Sequence, residues 1–176
     1  MARLSGKVVL ITGTGGGQGR EAALRFAREG AIVVGCDVDA TGHQATRALL
    51  QAEGLELHGQ APVDLGDPEQ ARDWVDTAVA AHGRIDILYN NASAARFGPV
   101  GEFSIEDWHY TIRNELDLIF FTTKYAWAHL TASKGVVINI ASTHGLVASA
   151  EKSAYVAAKH GLVGFTKAAA LECATT

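Results

Sequence analysis

Cysteine is scarce in this chain of 176 residues: only Cys36 and Cys173 are present. Two thiols cannot build a disulfide scaffold, and they suit a reducing compartment, so a cytoplasmic protein is expected. Prolines are three, Pro62, Pro68 and Pro99, all in the first two thirds. No run of five or more Lys/Arg occurs, and 15 basic residues face 19 acidic ones for a net charge of −4. Such a balance excludes a basic patch for nucleic acid or an anionic membrane. No uninterrupted apolar run approaches the roughly 20 residues of a membrane span. The first short run, Val8–Thr12, is closed too soon by glycine for a signal peptide. The histidines lack metal-ligand spacing such as His-Glu-x-x-His, so no metal site is expected.

What remains is a composition 48% hydrophobic and 19% charged, that of a soluble globular protein long enough to bury a core without staples. One domain is expected over 1–176. Short β-branched runs alternate with helical patterns. Strands are expected at Val8–Thr12, Ala31–Cys36, Leu55–Val63, Ile85–Tyr89 and Gly135–Ala141. Helices are expected over 20–29, Thr41–Glu53, from the Asp67-Pro68 cap to His82, from the Ser104 cap to Ala132, and over Ala154–Glu172. Strands apolar on both faces belong to a parallel sheet, with the helices as crossovers. The expected fold is α/β: a Rossmann-type doubly wound parallel sheet of about five strands with helices on both faces. Helices 104–132 and 154–172 are apolar on most sides, which favours burial against a second copy; a tightly packed monomer is the alternative. Trp74, Trp108 and Trp127 read as packing residues.

The first strand runs into Thr12-Gly13-Thr14-Gly15-Gly16-Gly17-Gln18-Gly19, where a helix opens. Glycine lets a backbone turn sharply and approach a phosphate, and a helix N-terminus offers N–H groups to an anion. The strand before, the helix after and an acid ending strand two make this a dinucleotide loop. That acid, Asp37, can accept from both ribose hydroxyls and would repel a 2′-phosphate, favouring NAD over NADP. Asp39 competes as a plain helix cap. Asp64, ending strand three, could meet an adenine amino group or simply cap a turn before Gly66.

Tyr155 and Lys159 stand four residues apart and so share one face of a helix. That helix is otherwise apolar, and an unpaired lysine buried on it would cost several kcal/mol. An ammonium about 4 Å from a phenol contributes a few kcal/mol at an effective dielectric near 20, enough to draw the phenol toward neutrality. Such a tyrosine can serve as a general acid or base. Ser142 follows strand five, at the strand ends where open-sheet sites lie. Ser142 and His144 also raise a hydrolase reading. They are separated by one residue, and no Gly-x-Ser-x-Gly elbow is present, so His144 is expected to line a pocket or face solvent.

With these residues in place the chain resembles the classical short-chain dehydrogenase/reductase family. Thr12–Gly19 matches its Thr-Gly-x-x-x-Gly-x-Gly signature, Asn90-Asn91-Ala92 its Asn-Asn-Ala-Gly motif, and Ser142, Tyr155 and Lys159 its Ser…Tyr-x-x-x-Lys. Asn114 falls where the family has its fourth catalytic residue. The resemblance implies an oxidoreductase using NAD on an alcohol or ketone. It implies that Tyr155 exchanges the proton, Lys159 tunes it and binds the nicotinamide ribose, Ser142 orients the substrate oxygen, and Asn114 holds a water leading from Lys159 to solvent. It implies cofactor contacts from Gly13, Gly15, Gly17, Gln18, Gly19, Asp37, Asp64, Leu65, Asn91, Ala92, Tyr155 and Lys159, with Asn91 also clamping neighbouring strands. A homodimer or homotetramer through helices 104–132 and 154–172 is implied as well.

Two departures stand out. Ser93 replaces the family glycine, where its Cβ either crowds the cofactor or is tolerated; Ala141 replaces a common serine. The sequence also ends at Thr176, without the last strands, the Pro-Gly turn and the substrate-covering loop of the family fold. The expectation is a fragment, a chain completed by a partner, or a dinucleotide-binding protein that has lost turnover. Strand five would then be an apolar edge. Ala94, Ala95, Phe97, Leu146 and Val147 point to a mostly apolar substrate pocket.

Overall fold

The computed structural model describes residues 2–174. Five parallel strands form one sheet: β1 (Val8–Thr12), β2 (Ile32–Cys36), β3 (Leu57–Gln60), β4 (Ile87–Asn90) and β5 (Val136–Asn139), in the order β3-β2-β1-β4-β5. The register sets Leu10 beside Val34 on one flank of β1 and beside Leu88 on the other. Helices cover both faces: α1 (Gly17–Arg28) and α2 (Ala40–Ala52) on one, α3 (Pro68–His82), α5 (Leu118–Ser133) and α6 (Ser153–Cys173) on the other. The alternation along β1 explains the two layers. Val9 and Ile11 pack with Ala23, Leu24, Leu50 and Leu57. Val8 and Leu10 pack with Trp74, Val75, Ile119 and Leu162. All five β1 residues are buried, as a central parallel strand requires. The doubly wound sheet expected from the sequence is the fold observed.

Local signals place the helix starts. Asp67 caps α3 by accepting from the Glu69 N–H at 2.9 Å, with Pro68 in the first turn and Gly83 left-handed at the exit. Ser104 caps α4 (Ile105–Ile112) by accepting from the Asp107 N–H at 2.9 Å.

Several expectations need correction. The helix expected over 104–132 is present without a break from Ile105 to Ser133, but it is not α-helical throughout: α4 and α5 are joined by a π-helical turn, Arg113–Asp117. The apolar spacing on either side of the turn is helical, and a single extra residue is invisible to a periodicity argument. The first helix starts at Gly17, inside the glycine loop, rather than at residue 20. Strand three is shorter than Leu55–Val63. Gly59 takes φ +97°, and Pro62 has no N–H for a ladder. Trp74 is buried as expected, but Trp108 is 38% exposed and is not a core residue.

β5 is an edge strand, and Val136 is exposed on it. Among the described residues no helix is long and apolar enough to cross a membrane, and no cluster of three or more His, Cys, Asp or Glu could hold a metal ion.

Asp86 ties the opposite end of the sheet together. It is 3% exposed and accepts from Lys7 Nζ (2.9 Å), from Arg84 Nε and Nη2 (2.9 and 2.6 Å) and from the Val8 N–H (3.0 Å). Burial pulls its carboxyl upward, but Arg84, Lys7 and the Val8 amide outweigh that and hold it at about 2. A carboxylate depressed in the folded state stabilises above its unfolded value near 4 and loses that contribution as pH falls toward 2. The drop corresponds to about 2 kcal/mol. Asp86→Asn is therefore expected to lower the midpoint of urea unfolding at pH 7 and to flatten the loss of stability between pH 4 and pH 2. Equal acid sensitivity of mutant and wild type would remove Asp86 from that role.

Candidate functional site

Because the strands are parallel, their carboxyl ends and the loops that follow lie on one edge of the sheet. There a cleft of about 390 Å³ opens, within the roughly 300–1,000 Å³ of small-ligand sites. Its floor is the glycine loop, and its walls carry Asp37, Asp64, Leu65, Asn91, Ala92, Ser93 and Asn114.

The loop is built around two glycines. At Gly13, φ is +77° and a Cβ would come within 2.8 Å of Asn91 Nδ2; at Gly19 a Cβ would lie 1.8 Å from the Gly13 carbonyl oxygen. Helix α1 then begins with no side-chain cap and no acid in its first turn, leaving its N–H groups for an anion. Asp37 holds the loop from the side: Oδ2 accepts from the Gly15 N–H at 2.6 Å and Oδ1 from the Asp39 N–H at 2.8 Å. A carboxylate with two such bonds retains acceptor capacity for hydroxyls. From below, the Thr46 hydroxyl donates to the Thr14 carbonyl (2.7 Å) and Arg20 Nη2 to the Gly15 carbonyl (2.7 Å). Thr14 Oγ1 also meets His43 Nδ1 at 2.7 Å; burial and then Arg47 push the His43 imidazole toward its neutral form. Arg20, Thr46 and His43 support the loop and were not singled out in the sequence. Their only signal was polarity on the helix faces α1 and α2 turn toward each other.

Asn91 bridges β1 and β4. Its Nδ2 donates to the Thr12 and Gly13 carbonyls (3.1 and 3.3 Å), while the Asn91 and Ala92 N–H groups donate to Thr12 Oγ1 (both 2.9 Å). Asp64 caps the turn before Gly66, as one of its two expected roles required. Its Oδ1 accepts from the Gly66 N–H (3.0 Å), closing the turn, and its Oδ2 accepts from Arg113 Nη2 (2.7 Å), yet the residue also lines the cleft.

Ser142, Tyr155 and Lys159 do not line this cleft; they lie on a neighbouring cluster at the end of β5. The Lys159 ammonium donates to the Ile140 carbonyl at 3.0 Å and stands 5.7 Å from the centroid of the Tyr155 ring. Phe97 and His144 pack edge-on against Tyr155, both with centroids at 5.7 Å. The Ser142 hydroxyl accepts from the His144 N–H (3.2 Å) and lies 3.3 Å from His144 Nδ1, while His144 Nε2 meets the Ser149 hydroxyl at 2.9 Å. No carboxylate orients His144, unlike the base of a hydrolytic triad.

One residue that the sequence reading missed joins the two clusters. Glu115, in the π turn, is fully buried. Its Oε2 lies 2.9 Å from Lys159 Nζ, and its Oε1 accepts from the Ser93 hydroxyl at 2.5 Å. The isolated lysine beside a phenol is thus corrected: the ammonium has a counter-charge. Ser93 lines the cleft and its hydroxyl grips Glu115. Asn114, next in sequence, faces the cleft, and its Nδ2 donates to the Tyr110 carbonyl at 2.8 Å. Glu115 stands among Arg113, Asn114 and Asp117, so no lone charge in an apolar helix marked it in the sequence.

A model of the short chain dehydrogenase family matches residues 7–176. The D-beta-hydroxybutyrate dehydrogenase of Cupriavidus necator is 41% identical over 175 residues, 98% of this chain and 67% of the relative. An uncharacterized oxidoreductase, YxjF, of Bacillus subtilis is 38% identical over 167 residues, 94% of this chain and 65% of the relative. The meso-2,3-butanediol dehydrogenase of Serratia marcescens is 36% identical, covering 97% of this chain and 66% of the relative. The chain therefore spans about two thirds of the length of these relatives. A crystal structure of a Burkholderia xenovorans protein assigned to the short-chain dehydrogenase/reductases superposes with a TM-score of 0.93 at 35% identity, covering 99% of this chain and 72% of that one.

Two glycines of the loop should respond differently to one added methyl group. Gly19→Ala puts a carbon onto the Gly13 carbonyl and is expected to cost about 1–3 kcal/mol. At Gly16 the added carbon meets nothing within 4 Å, so Gly16→Ala should stay within about 0.5 kcal/mol of wild type. Urea melts of both variants check this, and equal stabilities would contradict the loop geometry.

Proposed function

The chain belongs to the short chain dehydrogenase family, and from that membership we propose that it is an oxidoreductase moving a hydride between NAD(H) and the carbinol or carbonyl carbon of an alcohol or ketone. The observation that carries the reading is the pairing of Tyr155 and Lys159 on one face of α6, with the ammonium 5.7 Å from the ring, next to a cleft floored by a glycine loop in which Gly13 and Gly19 leave no room for a Cβ.

The residues present fit a dinucleotide. The open space beside Gly16 and Gly17, where a Cβ would meet nothing within 4 Å, and the uncapped start of α1 suit a pyrophosphate. Gly15, Gly17 and Gln18 complete that wall. Asp37 would accept from the adenosine ribose hydroxyls and repel a 2′-phosphate, which selects NAD over NADP. Asp64 and Leu65 would flank the adenine, and Asn91 and Ala92 the middle of the cofactor. Bound there, the nicotinamide supplies or takes up the hydride.

The protein's own part is to orient groups and move a proton. The Tyr155 phenol exchanges a proton with the substrate oxygen, and the Ser142 hydroxyl orients that oxygen. Lys159 sets a positive charge near the phenol. With three protons and two oxygens already beside it, its ammonium can serve one more acceptor, a ribose hydroxyl. Asn114, which lines the cleft, would hold a water leading from Lys159 to solvent. Phe97, Leu146 and Val147 stand exposed near Tyr155 and offer an apolar surface to the substrate. Exposed Ile105, Trp108 and Phe120 on α4 and α5, and Leu171 on α6, support assembly as a homodimer or homotetramer through these helices. The two cysteines suit action in the cytoplasm.

A second reading, a dinucleotide-binding protein without turnover, is favoured by one observation: the wall around Tyr155 is open, with Phe97, Leu146 and Val147 all exposed. An assay with NAD and a panel of secondary alcohols separates the two, since binding without turnover supports the second. In the enzyme, Tyr155→Phe is expected to cut turnover by about 10²–10⁴-fold while calorimetry finds NAD affinity within twofold of wild type. A near-normal rate in that variant would remove Tyr155 as the acid/base.

A further inference from the structure

Lys159 is 3% exposed and Glu115 fully buried. Two full charges withdrawn from water are costly, and removing one of a buried pair leaves the other uncompensated. Glu115 nevertheless is fully buried in the turn where the helical ladder widens to admit an extra residue, while its polar neighbours Arg113, Asn114 and Asp117 are only half-buried. That turn makes successive side chains serve different neighbours: Asn114 faces the cleft, and Glu115 reaches Lys159 on α6. The other carboxylate oxygen is held by Ser93, whose hydroxyl lines the cleft at the end of β4. Three elements thus converge on one ammonium: β5 through the Ile140 carbonyl, the π turn through Glu115, and the β4 loop through Ser93 acting on Glu115.

We propose that Glu115 is a positioning residue for the reaction at Tyr155: gripped by Ser93, its carboxylate pairs with the buried Lys159 ammonium and fixes it at the end of β5. The role proposed for Lys159 rests on the enzymatic reading above; the ion pair itself does not. The titratable groups around the ammonium are Glu115 from the π turn and Tyr155 from its own helix, and His144 packs on the tyrosine ring from the short turn after β5. An opposite charge in contact favours the protonated lysine, and its loss favours the neutral amine.

The full chain, labelled with 13C at the lysine ε carbons, allows Lys159 to be titrated by NMR, its signal assigned by its absence in Lys159→Met. In Glu115→Gln the proton affinity of Lys159 is expected to fall at least tenfold. Glu115→Asp, which keeps the charge, is expected to restore most of it, a rescue that a merely space-filling role would not give. Ser93→Ala is expected to move the titration the same way by a smaller factor, about two- to threefold, as expected for loss of one hydrogen bond to the carboxylate. A folded Glu115→Gln chain whose Lys159 titrates as in wild type overturns the proposal. If Glu115→Gln does not fold, Ser93→Ala decides, and an unmoved lysine there overturns it too. Failure of NAD to bind in calorimetry, with the lysine shift intact, would count against the enzymatic reading and leave the positioning role standing.

Discussion

Parallel pairing is the constraint on which everything else in this molecule depends. Because all five strands run the same way, every β-to-α loop emerges at one edge. The glycine turn after β1, Asp37 after β2, Asp64 after β3, Asn91 to Ser93 after β4 and Ser142 after β5 are thereby gathered from across the sequence. None of these residues is near another in the chain, and antiparallel pairing of any strand would send its loop to the far end. The opposite edge carries Asp86 with Lys7 and Arg84, a polar cluster that ties β1 to the start of β4. The two edges divide the work: one holds the sheet together, the other leaves backbone N–H groups and carboxylates open toward a cleft.

At the open edge, the backbone carries more of the chemistry than a residue-by-residue description suggests. Thr12, Gly13, Gly15 and Cys36 are engaged through main-chain atoms, and the side chains of Asn91, Asp37 and Thr46 serve largely to hold those atoms still. Rigid placement of the loop matters because free N–H groups act on an anion only where they point together. His43, kept neutral by burial, fits this role better than a charged imidazole would, since a charge beneath the loop would need a partner there.

Much of this was legible in the sequence. Strand count, parallel topology, the capped start of α3 at Asp67 and the glycine loop followed from apolar runs, caps and turn residues, because each depends on neighbours within a few positions. The misses share a cause: they depend on contacts between distant segments. The π turn at Arg113–Asp117 adds one residue without breaking the apolar pattern on either side. The Arg113–Asp64 pair joins residues 49 apart, and Ser93–Glu115 joins the β4 loop to a helix. Periodicity cannot register any of these. Lys159 was found because a lone charge on an apolar helix is anomalous; Glu115, set among Arg113, Asn114 and Asp117, shows no such anomaly.

The pair also changes the electrostatics argued from spacing alone. A bare ammonium acts on a phenol as a single charge, falling off with the first power of distance. With Glu115 at 2.9 Å the source is closer to a dipole, whose influence at 5.7 Å depends on its orientation as well as its separation. The ring contacts Phe97, His144 and the lysine, and the carboxylate is held by Ser93. A paired ammonium can be buried at far lower cost than a lone one. The π turn carries both residues: Glu115 reaches Lys159 while Asn114 keeps its place in the cleft, so neighbouring positions of one turn serve the ion pair and the cleft.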